Sequence, residues 1–139
     1  EAMEKPKPHE YPGKLVVIEG TDGVGRSTQV ELLANWLAVE GYGVTRTQWK
    51  SSGLIAKAIE KAKDKNALNT ITFSLLYATD LAERLNSTIL PALKAGLIVL
   101  ADRYYYTAFA RDVVRGADPN WVRKLYGFAP APDMVFYMK

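Results

Sequence analysis

The residues best suited to chemistry lie in one short run, Gly20-Thr21-Asp22-Gly23-Val24-Gly25-Arg26-Ser27. It follows the pattern G-x-x-x-x-G-K-[ST] at every position but one, where Arg26 stands for the Lys. Glycines at 20, 23 and 25 let backbone N–H groups converge on phosphate oxygens. A helix opening near Arg26 adds free N–H groups and the positive end of its dipole. The Ser27 hydroxyl can join the coordination shell of Mg²⁺. Arg26 keeps the positive charge but changes its shape, since guanidinium is wide, planar and forked where ammonium is compact. The run implies that a nucleotide polyphosphate binds here and that the bulkier cation slows the chemistry. A plain glycine turn between strand and helix is the competing reading. The apolar run before it and Arg26-Ser27-Thr28 after it argue against that.

The elements that must position this loop follow from the apolar pattern. Leu15 to Ile18 is a continuous apolar run, as a strand buried on both faces requires. Val30, Leu33, Ala34 and Leu37 then recur at helical spacing over residues 26–40, and Gly41 is a stop. Further strands are predicted at 44–49, 97–101 and 134–138, and helices at 54–62, 71–95, 105–114 and 119–126. Asn69-Thr70 is a candidate cap for the long helix, and Pro91 should kink or break it. Strands alternating with helices predict an α/β fold with a parallel sheet flanked by helices and right-handed crossovers. Residues 1–12 hold three prolines and five charged residues and are predicted to be a flexible lead-in or tag remnant. Residues 13–139 then form the folded domain. Because a strand run ends one residue before Lys139, the chain is expected to be part of a longer protein.

Composition removes several chemistries. The chain has 139 residues, enough for one domain, with 48% hydrophobic and 24% charged residues, as in ordinary globular proteins. It has no cysteine, which excludes disulfide scaffolds, cysteine zinc sites and thiol nucleophiles. Its one histidine, His9, falls in the lead-in and is given no chemical role. The net charge of +3 is spread along the chain without a basic stripe, so no nucleic-acid partner is expected. No apolar run nears the roughly 18 residues of a membrane span, and no signal peptide is visible. A cytoplasmic protein without a membrane partner is expected.

With these residues in hand, a family resemblance becomes visible. Glu19-Gly20-Thr21-Asp22-Gly23-Val24-Gly25-Arg26-Ser27-Thr28-Gln29 is similar to the phosphate loop of thymidylate kinases. Asp102-Arg103-Tyr104 matches that family's D-R-Y motif, and Leu75 to Asp80 resembles its L-L-F-x-A-[DN] helix. Pro91-Ala92-Leu93 and Pro132-Asp133 fall in the expected order, so the resemblance spans about residues 14–138. It implies a P-loop fold and transfer of the ATP γ-phosphoryl to dTMP, giving dTDP, with Mg²⁺. Gly20, Thr21, Asp22, Gly23, Val24, Gly25, Arg26, Ser27 and Thr28 would hold the ATP phosphates. Asp22 would also accept a hydrogen bond from the sugar 3′-hydroxyl of the monophosphate. Lys50 and Arg103 would hold the acceptor's phosphate, and Tyr77 would stack on its base. Ser27 and Asp102 would organise the metal, with Arg26, Asp102 and Arg103 as the catalytic set. The family's homodimers suggest one here, with the helix at 71–95 as a suitable surface. Its mobile lid and C-terminal part would lie past Lys139.

Departures from the family pattern keep other readings open. The base-reading Arg of the family falls on Leu81, which cannot hydrogen-bond a pyrimidine carbonyl; Arg84, one turn on, is a candidate substitute. The segment after the second strand reads Gln48 to Gly53 instead of the family's acidic Pro-Gly-Gly. Two alternatives therefore stand beside the monophosphate kinase acting on dTMP. One is a deoxynucleoside kinase or another nucleoside monophosphate kinase. The other is a catalytically weak nucleotide-binding module.

Overall fold

A computed structural model describes residues 8–21, 23, 25–49, 52–53, 55–64 and 69–139. The predicted site residues Asp22, Val24 and Lys50 lie outside them. The elements follow in the order β1 (Lys14–Gly20), α1 (Arg26–Val39), β2 (Val44–Gln48), α2 (Ala56–Asp64) and α3 (Thr70–Arg84). A π-helical turn (Leu85–Ile89) leads into α4 (Leu90–Lys94), β3 (Ile98–Asp102), α5 (Tyr105–Val114), α6 (Pro119–Leu125) and β4 (Met134–Met138).

The strands form one parallel sheet in the order β2-β3-β1-β4. Register aligns Ile18 with Asp102 and with Phe136, and Asp102 with Gln48, so the carboxyl ends finish at a common edge. The chain leaves β1 toward one side for β2 and later returns to the other side for β4. The crevice between β1 and β3 is thus a topological switch point, where open α/β sheets collect ligands.

The two faces of the sheet are buried by different helices. Leu15, Val17, Val99 and Ala101 point into the larger core, which includes Ala78, Leu81, Leu85, Ile89, Leu93, Tyr104 and Val122. Ile18 and Leu100 point the other way, against Val30 and Ala34 of α1. Burial on both faces explains the unbroken apolar character of β1 and β3. In β4, residues Met134 to Tyr137 are 43–66% exposed.

The long predicted helix at 71–95 is divided. Asn69 caps α3 as expected, its Oδ1 accepting from the Thr72 N–H at 2.8 Å. The helix then widens into the π-helical turn just before Pro91. Proline has no N–H and its ring crowds the preceding turn, so an i→i+5 turn there spares the helix both defects. Part of the predicted lead-in touches the body. Pro8 bridges Ala131, and His9 Nε2 lies 2.6 Å from Asp133 Oδ2. The same carboxylate accepts the Leu15 N–H at 2.7 Å, tying these residues to the start of β1.

Candidate nucleotide site

The glycine turn joins β1 to α1 as the spacing requires. Gly25 occupies the N-cap with φ 79° and ψ 22°, and Gly23 also has φ 79°. An L side chain is strained at both, so glycine is the residue the turn needs. Gly25 brings no side chain to cap α1, and the first turn of the helix carries no acid. The first N–H groups of this helix and its dipole therefore face the turn with no acid in the first turn of α1 to offset them. Ser27 and Thr28 stand on that first turn, both exposed. A Cβ at Gly20 would come within 2.7 Å of the Met138 carbonyl oxygen, so glycine there also permits β4 to approach.

Arg26 does not point away from the protein. Its Nε donates to Asp102 Oδ1, and Nη1 donates to the carbonyls of Gly20 and Thr21 at 3.0 and 3.1 Å. Both partners of the ion pair are about one-eighth exposed, at 12% each. The planar fork explains this arrangement, since one guanidinium reaches a carboxylate and two carbonyls at once. Asp102 and Arg26, expected to face metal and phosphate, here face each other across the turn.

Arg103 follows Asp102 with φ 66°, the one described non-glycine residue in the left-handed region. Such a conformation costs on the order of 1 kcal/mol and persists where neighbours enforce it. The Arg103 N–H donates to the Ile18 carbonyl at 2.9 Å, which pins the segment to β1. Glu19 holds the next residue. Its carboxylate accepts from the Tyr104 N–H at 2.8 Å and from the Thr107 hydroxyl, so it caps α5, whose N-cap Tyr104 has no side-chain cap of its own. Burial pushes the Glu19 carboxyl above its ordinary value, against the pull of these hydrogen bonds and of Arg103. The sequence reading gave Glu19 no role. The available signal was a carboxylate directly abutting a buried apolar strand.

Behind this edge stands an aromatic wall. Tyr77 stacks on Phe73 at 5.3 Å and meets the edge of Trp49 at 5.5 Å. Trp49 Nε1 donates to the Tyr104 carbonyl at 3.1 Å, joining the segment after β2 to the segment after β3. The Arg111 guanidinium lies 4.8 Å from the centre of the Tyr77 ring and the Lys63 ammonium 5.9 Å from it. Tyr77 is only 2% exposed, so a base stacked on its ring must displace one of these covering groups. Leu81 points into the main core with Leu85 and Tyr104. Arg84 instead shares the Tyr77 stripe, two turns along α3, and is buried beside Asp80, Thr47 and Trp49. Asp112, on α5, is also buried, and burial raises its carboxyl above the ordinary value against the opposing Ser74, Arg111 and Arg115.

Parallel strands that end beside an uncapped glycine turn, at the switch point of the sheet, define a P-loop nucleotide-binding protein of the α/β class. The family described as Thymidylate kinase matches residues 18–139. The chain belongs to that family. It is 49% identical over 127 residues to the probable thymidylate kinase 2 of Saccharolobus solfataricus, covering 91% of this chain and 59% of that protein. It is 37% identical over 132 residues to the probable thymidylate kinase of Pyrococcus horikoshii, covering 91% and 64%. The crystal structure of thymidylate kinase from Ehrlichia chaffeensis superposes with a TM-score of 0.81 at 25% identity, covering 91% of this chain and 76% of that one. The chain spans about three-fifths of the length of the curated relatives it matches. No helix among the described residues is long and apolar enough to cross a membrane.

Proposed function

We propose that the whole protein transfers the γ-phosphoryl group of ATP to dTMP, giving ADP and dTDP. The observation that carries this reading is the juxtaposition, at one sheet edge, of the glycine turn and a strained Arg103 whose N–H is held by the Ile18 carbonyl, with Glu19 anchoring the next residue. In the reaction, the bond between the γ-phosphorus and the β,γ-bridging oxygen breaks. A phosphate oxygen of dTMP forms the new bond to that phosphorus. Such transfer depends mainly on alignment and on neutralising charge. The turn from Gly20 to Thr28, Asp22 and Val24 included, would cradle the ATP phosphates. Lys50 and Arg103 would hold the acceptor's phosphate, and Asp22 its sugar hydroxyl. Tyr77 would meet the base once Lys63 or Arg111 moves aside.

Mg²⁺ fits the donor set. One hydroxyl at Ser27 and one carboxylate at Asp102 suit an ion that keeps several waters and arrives with phosphate oxygens. No cluster of three or more acidic, histidine or cysteine side chains that could cage a metal occurs among the described residues. The ion would supply charge neutralisation on the transferred phosphoryl. For Asp102 to present both oxygens to it, Arg26 must release Oδ1. The reading extends to a cytoplasmic protein that pairs with a second copy; exposed Ile71 and Leu75 on α3 are compatible with such pairing.

An ADP-release assay on the full-length protein with dTMP, dUMP, dCMP and dGMP tests the reaction. Transfer to dTMP is expected, and no transfer to any acceptor overturns it. The Arg26–Asp102 ion pair favours a second reading, a nucleotide-binding module with little catalysis. Thermal stabilisation by ATP without transfer would select that reading.

A further inference from the structure

The nucleotide site leaves His9 and the segment before β1 without a role, yet that segment is built onto the sheet. Pro8 forms a parallel bridge with Ala131, three residues ahead of β4. The His9 side chain is 4% exposed. Its Nδ1 accepts the Tyr11 N–H at 3.2 Å, which leaves the ring proton on Nε2, 2.6 Å from Asp133 Oδ2. The Tyr11 ring stacks on the imidazole at 5.6 Å and packs against the larger core. The same Asp133 oxygen accepts the Leu15 N–H at 2.7 Å, and the Asp133 N–H donates to the Leu15 carbonyl at 2.8 Å. Asp133 therefore joins three pieces of chain: the segment before β1, the start of β1 and the approach to β4. Burial raises the Asp133 carboxyl, but the bonds from Leu15 and His9 and the nearby Lys14 outweigh it and hold the group below its ordinary value.

Strand β4 needs such a hold. It lies at the edge of the sheet, and β1 is its one strand partner among the described residues. Its residues Met134 to Tyr137 are 43–66% exposed, so little apolar burial keeps it in place. An edge strand of this kind opens at a lower free-energy cost than the buried strands beside it. The far end of the same ladder aligns Gly20 with Met138, where the glycine turn begins.

We propose that residues 8–11 form a strap whose His9–Asp133 clasp locks the amino end of the β1–β4 ladder. Released from the clasp, the ladder frays from Leu15 and Asp133 while the rest of the sheet stays closed. A hydrogen bond to a charged acceptor sets the scale at about 10- to 100-fold in an opening equilibrium. The Asp133 side chain is 29% exposed, which places the expected effect near the lower end, at about tenfold.

Hydrogen exchange on the full-length protein, read by mass spectrometry, tests this. His9→Ala should speed exchange about tenfold in peptides covering 13–20 and 131–138, and by less than about twofold in peptides covering 70–84 and 98–102. His9→Gln, which keeps a donor at the place of Nε2, should restore most of the lost protection. Adding His9→Ala to Asp133→Asn should change exchange by less than about twofold beyond Asp133→Asn alone, since the clasp is already broken. Unchanged exchange in His9→Ala overturns the proposal. So does an equal increase in all four peptides, which would mark a general loss of stability and no local lock. Glutamine that restores nothing, or fully independent effects of the two substitutions, would overturn the pairing of His9 with Asp133.

Discussion

Replacing Arg26 with Lys should make the protein a better nucleotide binder and a faster catalyst. Among its polar contacts, Arg26 donates to Asp102 and to the carbonyls of Gly20 and Thr21. Each is charge-assisted, and such contacts contribute roughly 1.5–3 kcal/mol where they are sheltered from water. A guanidinium that swings onto phosphate oxygens regains some of these bonds but must also free Asp102. If one contact remains uncompensated, the competent arrangement is disfavoured by about 1.5–3 kcal/mol, which weakens apparent ATP affinity by about 10- to 100-fold. A Lys ammonium is a point charge and cannot span the carboxylate and both carbonyls together. Arg26→Lys should therefore lower the Kd for ATP by at least about tenfold in calorimetric titration and raise kcat in the ADP-release assay. Without nucleotide it should melt at a lower temperature, having lost the same contacts. Unchanged affinity together with unchanged or lower turnover would refute the reasoning.

Arg103→Gly and Arg103→Ala both remove the guanidinium and should both raise the KM for the monophosphate. They should differ in stability, because alanine keeps the left-handed strain and glycine relieves it. Urea denaturation should place glycine about 1 kcal/mol above alanine; equal midpoints would show that the backbone is unstrained. Asp112 sets a pH dependence. The folded protein holds this carboxyl above its ordinary 3.8, so the native state binds the proton more tightly than the unfolded chain. Its stabilising contribution is complete below pH 3.8 and is lost as pH rises through the raised value. Asp112→Asn should therefore gain stability relative to the wild type as pH rises through that window, and a gap in melting temperature constant with pH would contradict this. Glu19→Ala should uncouple α5 from the sheet edge and cut kcat/KM about tenfold or more, with Glu19→Gln restoring most of it. An alanine variant with unaltered kinetics would remove Glu19 from the positioning of Arg103.

Much of the fold was legible because its determinants are local. The apolar runs at 15–18 and 97–101 are buried on both sheet faces, and such strands tolerate few polar residues. Gly23 and Gly25 announced the turn because only glycine adopts φ 79° without strain. The division of the helix at 71–95 was only half visible: Pro91 signalled a defect, but a π-helical turn is one of several ways to absorb it. What escaped the sequence is set by tertiary contact. Nothing local says that Arg26 will turn to Asp102, 76 residues away, or that Glu19 will cap a helix 85 residues further on. Tyr77 was read as a stacking platform, but whether its faces are covered depends on Arg111 from α5 and Lys63 from α2. Arg84 was visible as an alternative to Leu81, while its burial beside Asp80, Thr47 and Trp49 emerges only from the packing of α3 against β2.

The most direct measurement is a crystal structure of the full-length protein with a non-hydrolysable ATP analogue, Mg²⁺ and dTMP. The account requires the triphosphate in the turn from Gly20 to Thr28, with the Arg26 guanidinium moved off Asp102 and dTMP between Tyr77 and Arg103. A guanidinium still seated on Asp102 beside a turn without nucleotide, at saturating concentrations of both ligands, would contradict it.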